Sequence, residues 1–335
     1  MSAPTMRAVR AVSAGQPFEP AELPVPEPGP GQVRVRVHAC GVCGGDAITR
    51  FGLLGELPRV PGHEIAGEVD TVGAGVTTWH PGDRVGAGWH GGSCFVCAYC
   101  RRGDFVNCVD RKVIGASYDG GYAEYVVVPQ DALARVPDAL SFEEAGPLMC
   151  AGITTFNSLR HCGAGPGDTV ALHGIGGLGH LAIQYADKMG FRTVAINRGR
   201  DKEQISRRLG ADEYVDSEAG SAGAALAALG GAQAVISTVG HSPAQADLLQ
   251  GVRPGGRLMV IATGQQPLDL SPELLVFGRR SVTGWYSGHA KDSEEAMAFA
   301  ALKGVRPMVE THPLDRAEDV FQNLAKARYR AVLVP

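Results

Sequence analysis

The stretch Thr169-Val-Ala-Leu-His-Gly-Ile-Gly-Gly-Leu-Gly-His180 decides the fold. Its first five residues make a short apolar strand, and a glycine-rich turn follows directly. Leu178, Leu181, Ala182, Tyr185 and Met189 then recur at helical spacing, and Gly190 suits the helix stop. Gly174, Gly176 and Gly179, with Gly177 and Leu178 inside the run, read as G-x-G-x-x-G. The first glycine allows the tight turn, the second lets a pyrophosphate approach the backbone, and the third lets helix pack on strand. Alone, such a run is weak evidence. Here a strand precedes it and a helix follows, which is the context a dinucleotide site requires.

Downstream, strand patterns at 192–196, 213–215, 233–237, 256–262 and 280–284 alternate with helical segments. That alternation predicts an α/β doubly wound parallel sheet. The Ala/Gly-rich segment 219–234 reads as a helix with a small-residue face, and 291–302 as an amphipathic helix. Ala331 to Val334 form a terminal apolar strand. Upstream the character is different. Val33, Val35 and Val37 alternate with Arg34, Arg36 and His38, the period of a half-buried strand. Strand-like runs recur at 65–69, 84–87 and 122–128, so residues up to about 136 read as mostly β with long loops. Six prolines between Pro17 and Pro30 predict an extended, irregular connector.

Gross composition fits an enzyme of about two domains. The 335 residues are 44% hydrophobic and 20% charged, with a net charge of −4. That balance leaves no footprint for nucleic acid or an anionic membrane. The N-terminal ten residues hold no apolar signal core, and no apolar run is long enough to span a bilayer. Clustered cysteines in such a chain favour metal ligation in a reducing cytoplasm.

Cys94, Cys97, Cys100 and Cys108 are spaced C-x2-C-x2-C-x7-C. Four thiolates at this spacing can close a tetrahedral zinc site, which is a structural arrangement. Cys43, His63 and Cys150 make a second, dispersed set. Each alone is unremarkable, since a lone cysteine is usually a small core hydrophobe. Each sits in a short Gly-containing turn, however, and two thiolates with one imidazole suit an open catalytic zinc. Asp46, three residues after Cys43, can hold the second nitrogen of a ligating imidazole. Glu64 can sit behind the metal or form an ordinary ion pair. The second strand of an NAD-specific fold ends in Asp or Glu. Here the chain reads Asn197-Arg198-Gly199-Arg200, then Asp201 and Lys202. Guanidinium forks suit a 2′-phosphate, so the pattern favours NADP(H) over NAD(H). The same residues would also serve as a solvated basic loop.

Together these residues resemble the zinc-dependent alcohol dehydrogenases of the medium-chain dehydrogenase/reductase superfamily. The markers are G-V-C-x-x-D at 41–46, G-H-E at 62–64, G-D-R-V at 82–85, the four-cysteine lobe, C-A-G-I-T at 150–154 and G-I-G-G-L-G-H at 174–180. The resemblance implies a GroES-like, mostly-β catalytic domain at 1–152, with 287–335 returning to it, and a Rossmann domain at 153–286. It implies two zinc ions per chain, Cys43, His63 and Cys150 as catalytic ligands, and the other four cysteines as the structural set. Thr154 matches a position near the nicotinamide and Arg330 one at the cofactor pyrophosphate. Phe51, Trp89 and Trp285 fall on positions that line the substrate or nicotinamide pocket. A homodimer or homotetramer acting on a small alcohol or carbonyl compound is the expected assembly.

Two departures bear on the chemistry. The family usually has Ser or Thr two residues after the first ligand, relaying the hydroxyl proton; here stands Gly45. Ile48 replaces a histidine that often extends the relay. The expectation is that a water fills the space freed at Gly45. The alternatives are a reductase of imines or conjugated C=C bonds, and a non-catalytic zinc- and NADP-binding protein.

Overall fold

The computed structural model describes residues 4–264, 266–324 and 329–335. The first three residues of the N-terminal stretch read above lie outside these. The chain divides into two compact units, residues 1–153 with 287–335, and residues 154–286.

In the second unit, six strands among the described residues form one parallel sheet. Their spatial order is Glu213–Asp216, Arg192–Asn197, Thr169–His173, Ala232–Ser237, Val252–Val260, Ser281–Gly284. The strand that opens the glycine turn is therefore central. Val170, Ala171 and Leu172 have no exposed surface, because helices cover both faces of a parallel sheet. Val194, Ile196, Val235, Leu258, Leu226 and Leu248 complete this core. The strand order reverses between Thr169–His173 and Ala232–Ser237. In such sheets ligands bind beyond the carboxyl ends of the strands at that point.

The first unit is built on Gln32–Gly41, which pairs antiparallel with Ile65–Val72, Tyr125–Pro129 and Arg330–Val334. Val33, Val35 and Val37 are buried while Arg34 turns outward to Asp70, 2.7 Å away. Val332 pairs with Gly41 and Leu333 with Cys40, so the end of the chain closes the sheet that its beginning started. No helix among the described residues is long and apolar enough to cross a membrane.

Two expectations are corrected. Residues 17–30 are not wholly irregular, because Glu19–Pro24 pairs antiparallel with Thr5–Arg10. A strand with a single neighbour tolerates Pro20 and Pro24, since proline lacks the ladder N–H that a central strand needs. The helix expected over 219–234 is only Ala222–Ala228. Ser221 caps it, its hydroxyl accepting from the Ala224 N–H at 3.0 Å. Gly230 and Gly231 then take φ of +96° and +72°, which ends the helix and lets Ala232 start a strand.

Candidate active site

Cys43 follows the strand Gln32–Gly41 after one residue, Val42, and caps the short turn Gly44–Asp46. Its Sγ accepts the Gly45 N–H at 3.4 Å, and the Asp46 carboxylate accepts the Cys43 N–H at 3.0 Å. His63 precedes the strand Ile65–Val72. Cys150 sits in a single π turn, Leu148–Gly152, after a helix that ends on Pro147. Such widened turns recur at functional sites. Sheet register and this turn bring the three together. One donor atom each from Cys43, His63, Glu64 and Cys150 lies within 4.8 Å of all the others, and the two sulfurs are 3.9 Å apart.

The surroundings orient this group. His63 Nδ1 lies 2.9 Å from Asp46 Oδ1, and the Tyr122 hydroxyl donates to Asp46 Oδ2 at 2.8 Å. His63 Nε2 is buried and has no hydrogen-bond partner. An imidazole held through Nδ1 with a bare, buried Nε2 is the arrangement of a metal ligand whose other nitrogen is fixed by a carboxylate. The donor set, two thiols and one imidazole, fits zinc. The hydrogen bond from Cys150 holds the Cys43 thiol well below the usual range, and the same bond pushes Cys150 up.

Glu64 is the ion-pair alternative. Its carboxylate is fully buried and accepts from Arg330 Nη2 at both oxygens. Burial pushes Glu64 up to about 7, against the opposing pull of Arg330. Arg330, the residue expected at the pyrophosphate, donates to Glu64 and to the Val42 carbonyl at 3.2 Å, and its Nε has no partner. A pair buried this deeply costs desolvation, which its direct charge-assisted hydrogen bonds offset.

The second thiol set is also assembled. Donor sulfurs of Cys94, Cys97, Cys100 and Cys108 lie within 4.8 Å of one another. Backbone N–H groups point at them: Cys94 N–H to Cys108 Sγ at 3.3 Å, Cys97 N–H to Cys94 Sγ at 3.4 Å, Cys100 N–H to Cys97 Sγ at 3.5 Å. Donors at Cys100 and Val109 bring the Cys97 thiol down to about 6, so its thiolate form prevails at neutral pH.

In the second unit a cavity of 730 Å³ opens at the switch point of the sheet. Gly174, Gly176, Gly177, Leu178, Asn197, Arg198 and Lys202 line it. Gly174 takes φ +90°, and a side chain at Gly176 would meet nothing, so the backbone there is open to a ligand. Gly179 does not line the cavity. A Cβ on it would come within 2 Å of the Gly174 carbonyl, so its role is close packing. Asn197 ends its strand, its Oδ1 accepting the Ile175 N–H at 3.1 Å. Lys202 Nζ donates to the Ile175 carbonyl at 2.5 Å. Arg200 is not at the cavity, because its guanidinium pairs with Glu203 at 2.6 Å. Thr154 is buried and is not among the lining residues either. Asp247 does line the cavity, but it accepts from Ser221 Oγ at 2.5 Å and from the Gly223 N–H at 2.9 Å. It is thereby already committed within the protein.

His173, the last residue of the central strand, is buried with Nδ1 3.0 Å from Ser237 Oγ. Burial first, and His241 second, lower it to about 4. The neutral form is the one folding favours, so this stability is present above the unfolded value of about 6.5 and is lost as pH falls toward 4. Between pH 7 and 5 this group removes about 2 kcal/mol of stability, and His173→Gln flattens the pH dependence by that amount. Denaturant titrations of both proteins at the two pH values check this. Equal slopes would count against it.

Comparison with known proteins agrees with this geometry. Residues 29–138 match the alcohol dehydrogenase GroES-like domain model, and residues 177–302 match the zinc-binding dehydrogenase model. An alcohol dehydrogenase of Aspergillus sp. is 44% identical over 323 residues, 95% of each chain. This chain belongs to the zinc-dependent alcohol dehydrogenase family. A solved NAD-dependent alcohol dehydrogenase superposes with a TM-score of 0.90 at 31% identity, over 98% of this chain and 100% of that one. A putative zinc-binding dehydrogenase of Sinorhizobium meliloti bound to NADP gives 0.91 at 26%, over 99% and 100%.

In this alcohol dehydrogenase the position two residues after Cys43 is not open. A Cβ on Gly45 would lie 3.0 Å from His63 Cε1, 3.3 Å from His63 Nε2 and 3.0 Å from Trp89 Cζ3. The His63 and Trp89 rings therefore flank this position closely. Trp89 stands perpendicular to the His63 imidazole, with centroids 4.8 Å apart. Neither this packing nor the Tyr122–Asp46 bond was read from the sequence, which carries no local signal for either. Phe51 is half exposed and lies over Gly15. Trp285 stacks on His161 at 4.3 Å with its indole nitrogen buried and without a partner.

Proposed function

We propose that this enzyme moves a hydride between NADP(H) and an alcohol, aldehyde or ketone, with one zinc held by Cys43, His63 and Cys150 and another by the four-cysteine lobe. The observation that carries the reading is His63 Nε2, a buried nitrogen without a partner at the focus of two thiols. When bound, the ion supplies Lewis acidity to the substrate oxygen and the dinucleotide supplies the hydride.

The chain's own residues do the rest. Asp46 fixes the His63 tautomer and is itself fixed by Tyr122 and the Cys43 N–H. The Glu64–Arg330 pair walls the floor of the ligand group. Gly174 to Leu178 cradle the pyrophosphate, and Thr154 and Arg330 add further cofactor contacts. Asn197, Arg198 and Lys202 form the 2′-phosphate rim in the absence of a free carboxylate among the residues lining the cavity. Trp89 favours an apolar substrate. Zinc ligation by thiolates fits a reducing cytoplasm, and the family resemblance favours a homodimer or homotetramer.

Oxidation of NADPH and NADH across aldehydes, ketones, imines and enals tests this. The expected result is turnover of aldehydes or ketones, with the higher kcat/KM for NADPH. Arg198→Ala should weaken NADPH by about tenfold and NADH little, the scale of a charge-assisted hydrogen bond of ~1.5 kcal/mol or more. An equal or better kcat/KM with NADH refutes the cofactor assignment. Turnover of imines or enals alone transfers the enzyme to the reductase alternative, and no turnover at all leaves the binding-protein alternative.

A further inference from the structure

We infer that Tyr214 and Asp216 are positioning residues for Arg198, and so set how strongly the dinucleotide cavity prefers a 2′-phosphate. This rests on the reading that Arg198 meets that phosphate. The two residues stand on the edge strand Glu213–Asp216, beside Arg192–Asn197, with Asn197 opposite Asp216 in the register. Spaced two apart, their side chains leave one face of the sheet, while Val215 between them is buried in the core. Both reach the same glycine. The Tyr214 hydroxyl donates to the Gly199 carbonyl at 2.7 Å, and Asp216 Oδ1 accepts the Gly199 N–H at 2.8 Å. On the other side of Arg198, the Asn197 carbonyl accepts the Ser217 N–H at 3.0 Å. Asn197 Nδ2 donates to the Arg198 carbonyl, also at 3.0 Å.

The backbone of the turn is thereby tied on both sides of Arg198. The Arg198 guanidinium itself lines the cavity and has no hydrogen bond or ion pair among the described residues. Its neighbours are engaged elsewhere, Arg200 on Glu203 and Lys202 on the Ile175 carbonyl. An arginine loses much rotamer freedom when it orders on an anion, and a backbone fixed beforehand removes part of the remaining cost. Neither Tyr214 nor Asp216 lines the cavity. Asp216 Oδ1 also accepts the Glu218 N–H at 2.9 Å, so this carboxylate is committed to the turn and not to a ribose hydroxyl. The influence of both residues on the cofactor therefore runs through Arg198.

The test titrates the full chain by calorimetry with two probes that differ by the 2′-phosphate alone, 2′,5′-ADP and 5′-AMP. The ratio of their Kd values is the readout, and it needs no turnover. Tyr214→Phe should lower the preference for 2′,5′-ADP about threefold, within the range of one net hydrogen bond, and leave the Kd of 5′-AMP within about twofold of the parent's. Arg198→Ala should lower the preference about tenfold, and Tyr214→Phe added to it should lower it no further. Asp216→Ala should show about threefold less preference than Asp216→Asn, which is equally uncharged but keeps an acceptor for the Gly199 N–H. An equal loss of both probes in Tyr214→Phe, the mark of a merely structural role, overturns the inference. So does a threefold effect that persists in the Arg198→Ala background. Should Tyr214→Phe fail to fold, the two Asp216 variants decide: equal preferences overturn the inference, and the threefold gap supports it. A parent that binds both probes equally overturns the 2′-phosphate reading itself, a result distinguishable because Arg198→Ala then changes nothing.

Discussion

Cys43→Ser abolishes turnover and leaves the fold intact. A thiolate ligates zinc well, whereas a serine hydroxyl stays protonated near neutral pH and ligates poorly. Lewis-acid assistance is worth several kcal/mol, so its loss lowers kcat/KM by at least about 10³-fold. The local backbone should not notice. Cys43 caps the turn Gly44–Asp46 by accepting the Gly45 N–H, and serine is a preferred residue at such a cap. The Asp46 carboxylate takes the backbone N–H of residue 43, which the substitution retains. Zinc analysis should therefore fall by one ion per chain while the thermal midpoint moves by only a few degrees. A variant with the parental zinc content and activity within tenfold of the parent would overturn the ligand assignment.

Cys97→Ser should have the opposite signature. The segment 94–108 has almost no core of its own. Phe95 is 52% exposed and Val96 76%, while Cys100 and Cys108 are the buried apolar residues within it. Its short turns, Cys100–Arg102 and Phe105–Asn107, bury little else. The sulfurs and the N–H groups aimed at them are what hold it. Structural zinc contributes about 10–16 kcal/mol in isolated zinc-finger peptides, as much as the whole stability of an ordinary domain. Here the strands His90–Gly92 and Lys112–Val113 clamp the base of the lobe. Loss of the ion should thus unfold the lobe before the unit. The expected results are one zinc lost, rapid proteolysis between residues 94 and 111, and aggregation on warming. Protease resistance equal to the parent's, with both zincs retained, would refute a structural role.

The two variants separate two ways in which sequence becomes chemistry. The lobe was legible because its four ligands fall within fifteen residues. Spacing and ligand type suffice when the chain between ligands is too short to carry them apart. The glycine turn was legible for the same reason. Its strand, turn and helix are contiguous, and the three glycines answer three local demands: a positive φ at Gly174, open space at Gly176 and close packing at Gly179.

Over longer separations the sequence named the participants and left their partners open. Glu64 could stand behind the metal or pair with a cation. The return of the C-terminal strand against Cys40 and Gly41 brings Arg330 to it across 266 residues. Arg198 and Arg200 look equivalent in the sequence, yet one lines the cavity while the other pairs with Glu203 in the first turn of the next helix. Alternating residues of a turn point apart, and composition does not record the direction.

What the sequence by itself determined is the class of chemistry: a dinucleotide turn, a closed thiolate set, and the identities of Cys43, His63 and Cys150. Tertiary structure decided how those groups are held. The Tyr122 hydroxyl reaches Asp46 across 76 residues, and the Trp89 ring meets the His63 imidazole edge-on at 4.8 Å. Both contacts depend on which strands pair and in which register. They are set by the burial of whole sheets, whose free energy is spread over dozens of residues and leaves no mark at the positions it brings together.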